Sequence, residues 1–538
     1  MKFDTNFQPY ASNRFPIVAR NGMVATGSPL ASAAGLEILR RGGNAVDAAI
    51  ATAAALTVVE PTANGIGSDA FAIIWMKDQL YGLNASGYAP QNISIEKVRE
   101  KEGNISEMPI FGWTPVTVSG APKAWAELSK RFGKLTLSEC LAPAVAYARD
   151  GYPAAPGLSR MWKRALKRYT DVCNGKLEFD EWFKTFTFDG QAPEVGQLIK
   201  LPNHADTLEE IGSTNSDSFY SGKLADKIIA CSDKYGGFMS KQDYSDYQVS
   251  WVDPLKVNYR GYDICEIPPN GQGIVALMAL NILKEFNFDK KECVDTYHKQ
   301  FEAMKMAFKN GMYFVTDPNH MSVTPQSLID PAYGASMAKD ITDRAQSPKI
   351  TQPPTSGTVY LCTADGEGNM VSYIQSNYMG FGSGIVVDGT GIALQNRGHD
   401  FSLDVNHANV LAPRKKTYHT IIPGFIMKDN KAIGPFGVMG GYMQPQGHVQ
   451  VAMNLIDFGL NPQMALDAPR WQWIKGNKFM VEDNFDNAIA KQLAERGHEV
   501  EIALDNVAFG RGQIIIRMDN GTLIGGCESR TDSNIACF

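Results

Sequence analysis

The chemistry available to this chain narrows quickly when its residues are taken by type and spacing. It contains no GxxxxGK[ST], no HExxH and no GxSxG, so phosphate cradling, helical zinc binding and a nucleophile elbow all lack their residues. Gly380-Phe381-Gly382-Ser383-Gly384 is glycine-rich, but it lacks the GxGxxG spacing and no helix is expected after it. The eight histidines are isolated from one another, and the eight cysteines form neither a CxxC nor a zinc-finger pattern, so no metal site is expected. What remains is Gly357-Thr358, where a proline-rich stretch meets a strand. On residue types alone this is an ordinary strand start, because Gly permits an unusual turn and Thr favours β structure.

The flanking elements are clear. Ser28-Pro29 opens a helix through Arg40-Arg41, which Gly42-Gly43 ends: a cap residue, proline in the first turn, basic residues in the last and glycine beyond it. Asn44 is placed to cap a second helix over Ala45–Val59, apolar on every side and therefore buried, which Glu60-Pro61 stops. Asn64 to Ala70 reads as a glycine-rich turn into a strand over Phe71 to Trp75. Residues 90–340 are mixed helix and loop with little signal. Ser347 to Ser356 (SPKITQPPTS) predicts an exposed connection. After it come three expected hairpins: 359–364 with 370–374, 384–387 with 392–394, and a pair flanking Lys428 to Lys431. Helices follow from Gln444 to Phe458 and from Asn461-Pro462. Helices, then antiparallel strands, then helices predict an α+β layered fold.

Composition sets the outer bounds. At 538 residues and 44% hydrophobic, the chain is long enough for about three or four domains or for one large enzyme core. With 51 basic against 57 acidic residues, net −6, no general field draws it to nucleic acid. Its longest apolar run, Ala45 to Val59, is too short to span a bilayer and contains Asp47. The N-terminal segment has no signal-peptide core and the cysteines suggest no disulfide framework, so a cytoplasmic location is expected.

The surroundings of Thr358 carry more. At the front stand Gly22-Met23-Val24-Ala25, Pro29 to Ser32, Gly35 to Leu39, Gly42-Gly43-Asn44-Ala45-Val46-Asp47-Ala48-Ala49 and Val59-Glu60-Pro61. At the back stand Thr358 with Asp365 to Asn369, Gly382-Ser383-Gly384, Phe401-Ser402, Met439-Gly440-Gly441, and Asn461-Pro462 through Ala468-Pro469-Arg470. In this order, over nearly the whole chain, they resemble the γ-glutamyltranspeptidase family of N-terminal-nucleophile (Ntn) hydrolases. Gly67-Ser68-Asp69-Ala70, Gln395-Asn396-Arg397-Gly398 and Gly440 to Gly447 look like its intracellular, transpeptidase-like branch.

The resemblance implies a four-layer α/β/β/α sandwich made as one precursor. It would be cut into a large segment, 1–357, and a small one, 358–538, that together form one core. Thr358 would attack the carbonyl of Gly357, shift the acyl group from nitrogen to oxygen and leave a free α-amine after hydrolysis. That amine, with an ordinary pKa of about 7.7–8.0, can serve as base for its own hydroxyl. Gly440 and Gly441 would supply oxyanion-hole amides, and Ser376 matches a hydroxyl beside the nucleophile.

Substrate recognition departs from the family pattern. The arginine that clamps a glutamate carboxylate aligns near Ser86, within Asn84-Ala85-Ser86-Gly87-Tyr88-Ala89-Pro90. The family's strand asparagine aligns with Tyr378, next to Asn377, and its Ser-Ser pair aligns with His419-Thr420. Its glutamine aligns with Arg397, while Asp400 matches the acid that holds the α-amine. Arg397 therefore stands in for the missing carboxylate-binding cation, unless it is only a structural partner of a carbonyl or carboxylate. The expected reaction is hydrolysis or acyl transfer on γ-glutamyl or related acid amides, with no metal or organic cofactor. The alternatives are an oxamate-type amidohydrolase, a glutaryl-type acylase, or an unprocessed homologue that only binds. The partners are a small-molecule amide and the two segments of the precursor, with homo-oligomerisation left open.

Overall fold

The computed structural model describes residues 9–10, 14–348 and 357–538. The connection expected over 347–356 lies, from 349 onward, outside the described residues.

Two seven-stranded antiparallel sheets stack face to face. The first runs Asn534–Cys537, Gly22–Thr26, Val359–Asp365, Met370–Ser376, Asp69–Met76, Gln79–Ala85, Ser250–Val252. The second runs Ile17–Ala19, Leu523–Cys527, Arg511–Arg517, Lys431–Met439, Gly424–Lys428, Tyr262–Glu266, Leu255–Tyr259. Three apolar cores separate four layers. One lies between the sheets and includes Phe71, Ile73, Tyr360, Ile374, Phe425 and Ile515. A second joins the first sheet to the Pro29–Arg40, Ala45–Val59 and Leu137–Asp150 helices, and a third joins the second sheet to the Gly273–Leu283, Val294–Phe314 and Met443–Ile456 helices. The fold is the α/β/β/α sandwich.

Local sequence explains the layers that border the site. Asn44 accepts hydrogen bonds from the amides of Val46 and Asp47, while Asp47 accepts one from the Asn44 amide, closing a capping box. All 15 residues of Ala45–Val59 are buried. Both central strands, Val359–Asp365 and Met370–Ser376, are buried along their whole length because a helix layer covers one face and a sheet the other. That two-sided cover is why they read as continuous apolar runs. The side chains still alternate: Val359 and Leu361 face the helices, Tyr360 and Cys362 the opposite sheet.

Both numbered halves of the chain contribute to each seven-stranded sheet. Val359–Asp365 pairs with Gly22–Thr26, and Gly424–Lys428 pairs with Tyr262–Glu266, so neither large sheet belongs to one half alone. The expected hairpin at 384–394 is reduced to a single bridge, Val386 to Ala393. Its glycines, including Gly384, Gly389 and Gly391 with positive φ, bend the chain too often for a ladder. Residues 90–340, nearly featureless in sequence, supply several outer helices and the Leu255–Glu266 hairpin of the second sheet.

Candidate active site

Strand register builds the site. Val359 pairs with Gln375, so the positions just outside the ladder, Thr358 and Ser376, stand opposite each other at one end of the sandwich. Both side chains share the parity of Tyr360 and Ile374, which face the space between the sheets. Thr358 Oγ1 lies 2.8 Å from the Gly357 carbonyl oxygen and 3.1 Å from Ser376 Oγ. Ser376 Oγ lies 2.9 Å from the same carbonyl and accepts a 2.8 Å bond from the Tyr378 amide. That acceptance leaves the Ser376 hydroxyl proton free to point at the carbonyl or at Thr358.

The second sheet supplies the opposite wall. Gly440 follows Lys431–Met439 and precedes the Met443–Ile456 helix. Gly440 has φ +141° and Gly441 φ +59°, both in the region that favours glycine, and a Cβ on Gly440 would lie 3.0 Å from the Gly510 Cα. Among the described residues neither of their amides meets a backbone acceptor. The Gly441 carbonyl is held by Gln272 Nε2 at 2.9 Å, and the same amide group donates to the Thr420 carbonyl at 2.6 Å. Gly357, Met379, Gly440, Tyr169, Arg168 and Arg511 lie around a cleft of about 210 Å³. Thr358 itself is fully buried behind Gly357.

Tyr378 connects this end to a buried charged group. Its backbone has φ +74°, unusual for a non-glycine residue, and its phenol donates 2.6 Å to Asp400 Oδ1. The Arg397 guanidinium lies over its ring, 4.1 Å from the centroid. Arg397 Nη1 donates to Thr420 Oγ1 at 2.7 Å and reaches Asp400 Oδ2 at 3.4 Å. Its Nε and Nη2 are buried without a partner. Burial raises the Asp400 pKa, and Arg397 and the Tyr378 hydroxyl work against that rise.

The remaining expected residues sit apart from this chain of contacts. Asn377 accepts from Ser68 Oγ at 2.8 Å on the helix side, and its Nδ2 has no partner. His419 Nε2 lies 3.0 Å from Asp69 Oδ2, and its Nδ1 accepts from the Ile421 amide at 3.4 Å, so Nε2 carries the proton. Burial pushes the His419 pKa well down and the Asp69 carboxyl up to about 7. Ser86 Oγ donates 2.7 Å to Asn84, and the Tyr88 hydroxyl donates 2.6 Å to the Asp243 carbonyl beneath Arg414.

Sequence reading assigned no role to Gln272, Glu60, Arg511 or Tyr442. The Tyr442 hydroxyl lies 3.4 Å from Asp400 Oδ1, and its place directly after Gly440-Gly441 was the available signal. One buried set has metal-ligand residue types: His298, Glu302 and His498. Lys305 Nζ lies 2.5 Å from Glu302 and His298 Nδ1 2.8 Å from His498 Nε2, so an ammonium and a histidine pair already use those ligand atoms.

A family model described as gamma-glutamyltranspeptidase matches residues 31–538. This chain belongs to the γ-glutamyltranspeptidase family. It is 34% identical over 527 residues to the glutathione hydrolase-like YwrD proenzyme of Bacillus subtilis (strain 168), covering 96% of this chain and 98% of that one. It is 31% identical to the oxamate amidohydrolase proenzyme of Klebsiella pneumoniae, covering 97% and 99%. A crystal structure of cephalosporin acylase from Bacillus halodurans superposes with a TM-score of 0.95 at 56% identity, covering 100% of this chain and 99% of that one. As a γ-glutamyltranspeptidase-family protein it is an Ntn-type amidohydrolase or acyltransferase, of the kind made as a self-processing precursor. Among the described residues no helix is long and apolar enough to cross a membrane.

Proposed function

We propose that the chain cuts itself between Gly357 and Thr358, and that the new N-terminal Thr358 then hydrolyses or transfers the acyl group of small acid amides. The hydroxyl attacks the amide carbonyl with the freed α-amine as base. The Gly440 and Gly441 amides receive the developing oxyanion, and the leaving amine takes the proton. Water or an amine then releases the acyl group from its Thr358 ester. Ser376 orients the nucleophile.

The preferred acyl group is a small acid without an α-amine, of the glutaryl or oxamate kind. One observation carries this reading: Arg397 is buried with Nε and Nη2 unpartnered, while Asp400 Oδ1, the family's amine-holding position, is already occupied by the Tyr378 hydroxyl at 2.6 Å. A carboxylate gains two charge-assisted bonds at Arg397, whereas an amine must displace a phenol from Asp400. The relatives named for oxamate and cephalosporin chemistry fit this preference. γ-Glutamyl amides, the chemistry of the glutathione hydrolase-like relative, are the poorer donors.

The eight cysteines, all free, support a reducing compartment, the cytoplasm, as the place of work. Competition of glutaryl, oxamate and γ-glutamyl amides for the processed enzyme tests the preference. Higher kcat/KM for a γ-glutamyl amide than for its glutaryl counterpart overturns it.

A further inference from the structure

Self-cleavage poses a chemical problem that turnover does not. Before the cut, the Thr358 nitrogen is an amide and cannot serve as a base, so the hydroxyl proton must go elsewhere. Ser376 is a poor destination, with an ordinary hydroxyl and one lone pair already taken by the Tyr378 amide.

Beside Thr358, and sharing Met439 and Arg511 with the cleft, lies a cavity of about 10 Å³ lined also by Gly27, Glu60, Thr358 and Gln513. That is close to the space one water needs. Its wall is polar in the right way. Glu60 is its carboxylate, held by Arg511 Nη1 at 3.2 Å through Oε1, while Oε2 faces Gly27. Gln513 Oε1 is a buried acceptor without a partner, its amide nitrogen being used on Ser533. A water in this cavity would have Thr358, Glu60 and the unpartnered Gln513 Oε1 among its neighbours.

We propose that Glu60, through one water in this cavity, takes the Thr358 hydroxyl proton during self-cleavage and returns it to the departing nitrogen. This rests on the reading that Thr358 cuts the chain. As the bond from Oγ1 to the Gly357 carbonyl carbon forms, the hydroxyl proton passes to the water and a water proton to Glu60. When the bond from that carbon to the Thr358 nitrogen breaks, the proton returns along the same path and the nitrogen becomes an amine. Hydrolysis of the resulting ester consumes one water and leaves a Gly357 carboxylate. Glu60 is a positioning residue for the proton, since it acts through the water.

Glu60 is suited to give and take a proton near neutrality. Burial raises its carboxyl to about 7, with Arg511 opposing the rise and Asp532 adding to it. Arg511 and Asp532 are the charged groups that face it among the described residues.

The test follows newly made full-length chain by intact mass in cell-free translation reactions buffered at pH values on either side of 7. Wild-type cleavage speeds up as pH rises through about 7 and then levels. Glu60→Gln slows it by roughly 10²-fold or more and removes the pH dependence, while Glu60→Asp restores both in part. Arg511→Gln moves the midpoint up and Asp532→Asn moves it down, shifts that a purely structural role does not produce. Gln513→Leu, which keeps the Glu60–Arg511 pair, slows cleavage with the pH dependence retained. It serves as the deciding variant if circular dichroism shows Glu60→Gln misfolded. Cleavage of folded Glu60→Gln, or of Gln513→Leu in its place, at the wild-type rate with the wild-type pH profile overturns the relay alone. A wild-type chain that never cleaves overturns the relay together with the reading of Thr358.

Discussion

The Arg397 guanidinium lies over the Tyr378 ring, 4.1 Å from its centroid, and the same tyrosine holds Ser376 Oγ through its backbone amide at 2.8 Å. A single residue in a left-handed conformation thus couples the charged end of the site to the Thr358 end. On the proposed reading, a substrate carboxylate held at Arg397 would set the distance at which its amide carbonyl meets Thr358.

Arg397→Gln is therefore expected to lower kcat/KM for a glutaryl amide by roughly 10–10²-fold. A hydrogen bond to a charged group contributes about 1.5–3 kcal/mol, and 1.4 kcal/mol is tenfold. Turnover of a neutral acyl amide should change little. Equal losses on both substrates would mean that Arg397 only braces Asp400 and Thr420.

Ser376→Ala removes the hydroxyl beside both Thr358 Oγ1 and the Gly357 carbonyl. Loss of one such donor typically costs roughly 10²–10³ in rate, so precursor should accumulate on a gel where wild type does not. Ser376→Thr keeps the hydroxyl and should process. A Ser376→Ala chain that matures at the normal rate would remove Ser376 from the chemistry.

Gly441→Ala places a Cβ at φ +59°, a strain of about 1–2 kcal/mol, in the loop whose amides meet no backbone acceptor among the described residues. The expected result is a lower kcat with KM nearly unchanged and a modest drop in melting temperature. A KM effect alone would assign the loop to ground-state binding instead of the oxyanion.

Acid stability rests on a different cluster. Glu528 is fully buried between Arg470 at 2.8 Å and Arg530 at 2.7 Å, and these cations hold its carboxyl down at about 2 against an ordinary 4.5. A depressed carboxyl stabilises the fold above its unfolded pKa and loses that contribution as the proton binds, so stability should fall between about 4.5 and 2. Glu528→Gln should cost about 3–5 kcal/mol, as breaking a buried pair does, and flatten that part of the curve. Urea midpoints measured across this pH range check both.

Much of this architecture could be read in the chain because the signals were local. The Asn44 capping box, the hairpin turning at Asp365 to Asn369 and the helix before Phe458 depend on residues within a few positions of one another. The family motifs carried the sandwich and the Thr358 neighbourhood. The Arg397–Tyr378 stack and the occupied Asp400 were not legible, since they depend on where a ring turns. Glu60 and Arg511 are 451 positions apart, joined only because both sheets end over the same cavity. Residues 90–340 escaped for another reason: apart from the fully buried Gly273–Leu283 helix, most of their helices bury one face and leave the other polar, and the sheet they complete is paired by Gly424–Lys428 from the other half of the chain.

The central claim is that one bond, between Gly357 and Thr358, is cut by the chain itself. Intact-mass measurement of the purified protein, with N-terminal sequencing of the smaller fragment, tests it most directly. The account predicts two fragments, the smaller beginning at Thr358, and a single uncut chain for Thr358→Ala. A wild-type species of 58.9 kDa that persists through long incubation would contradict it.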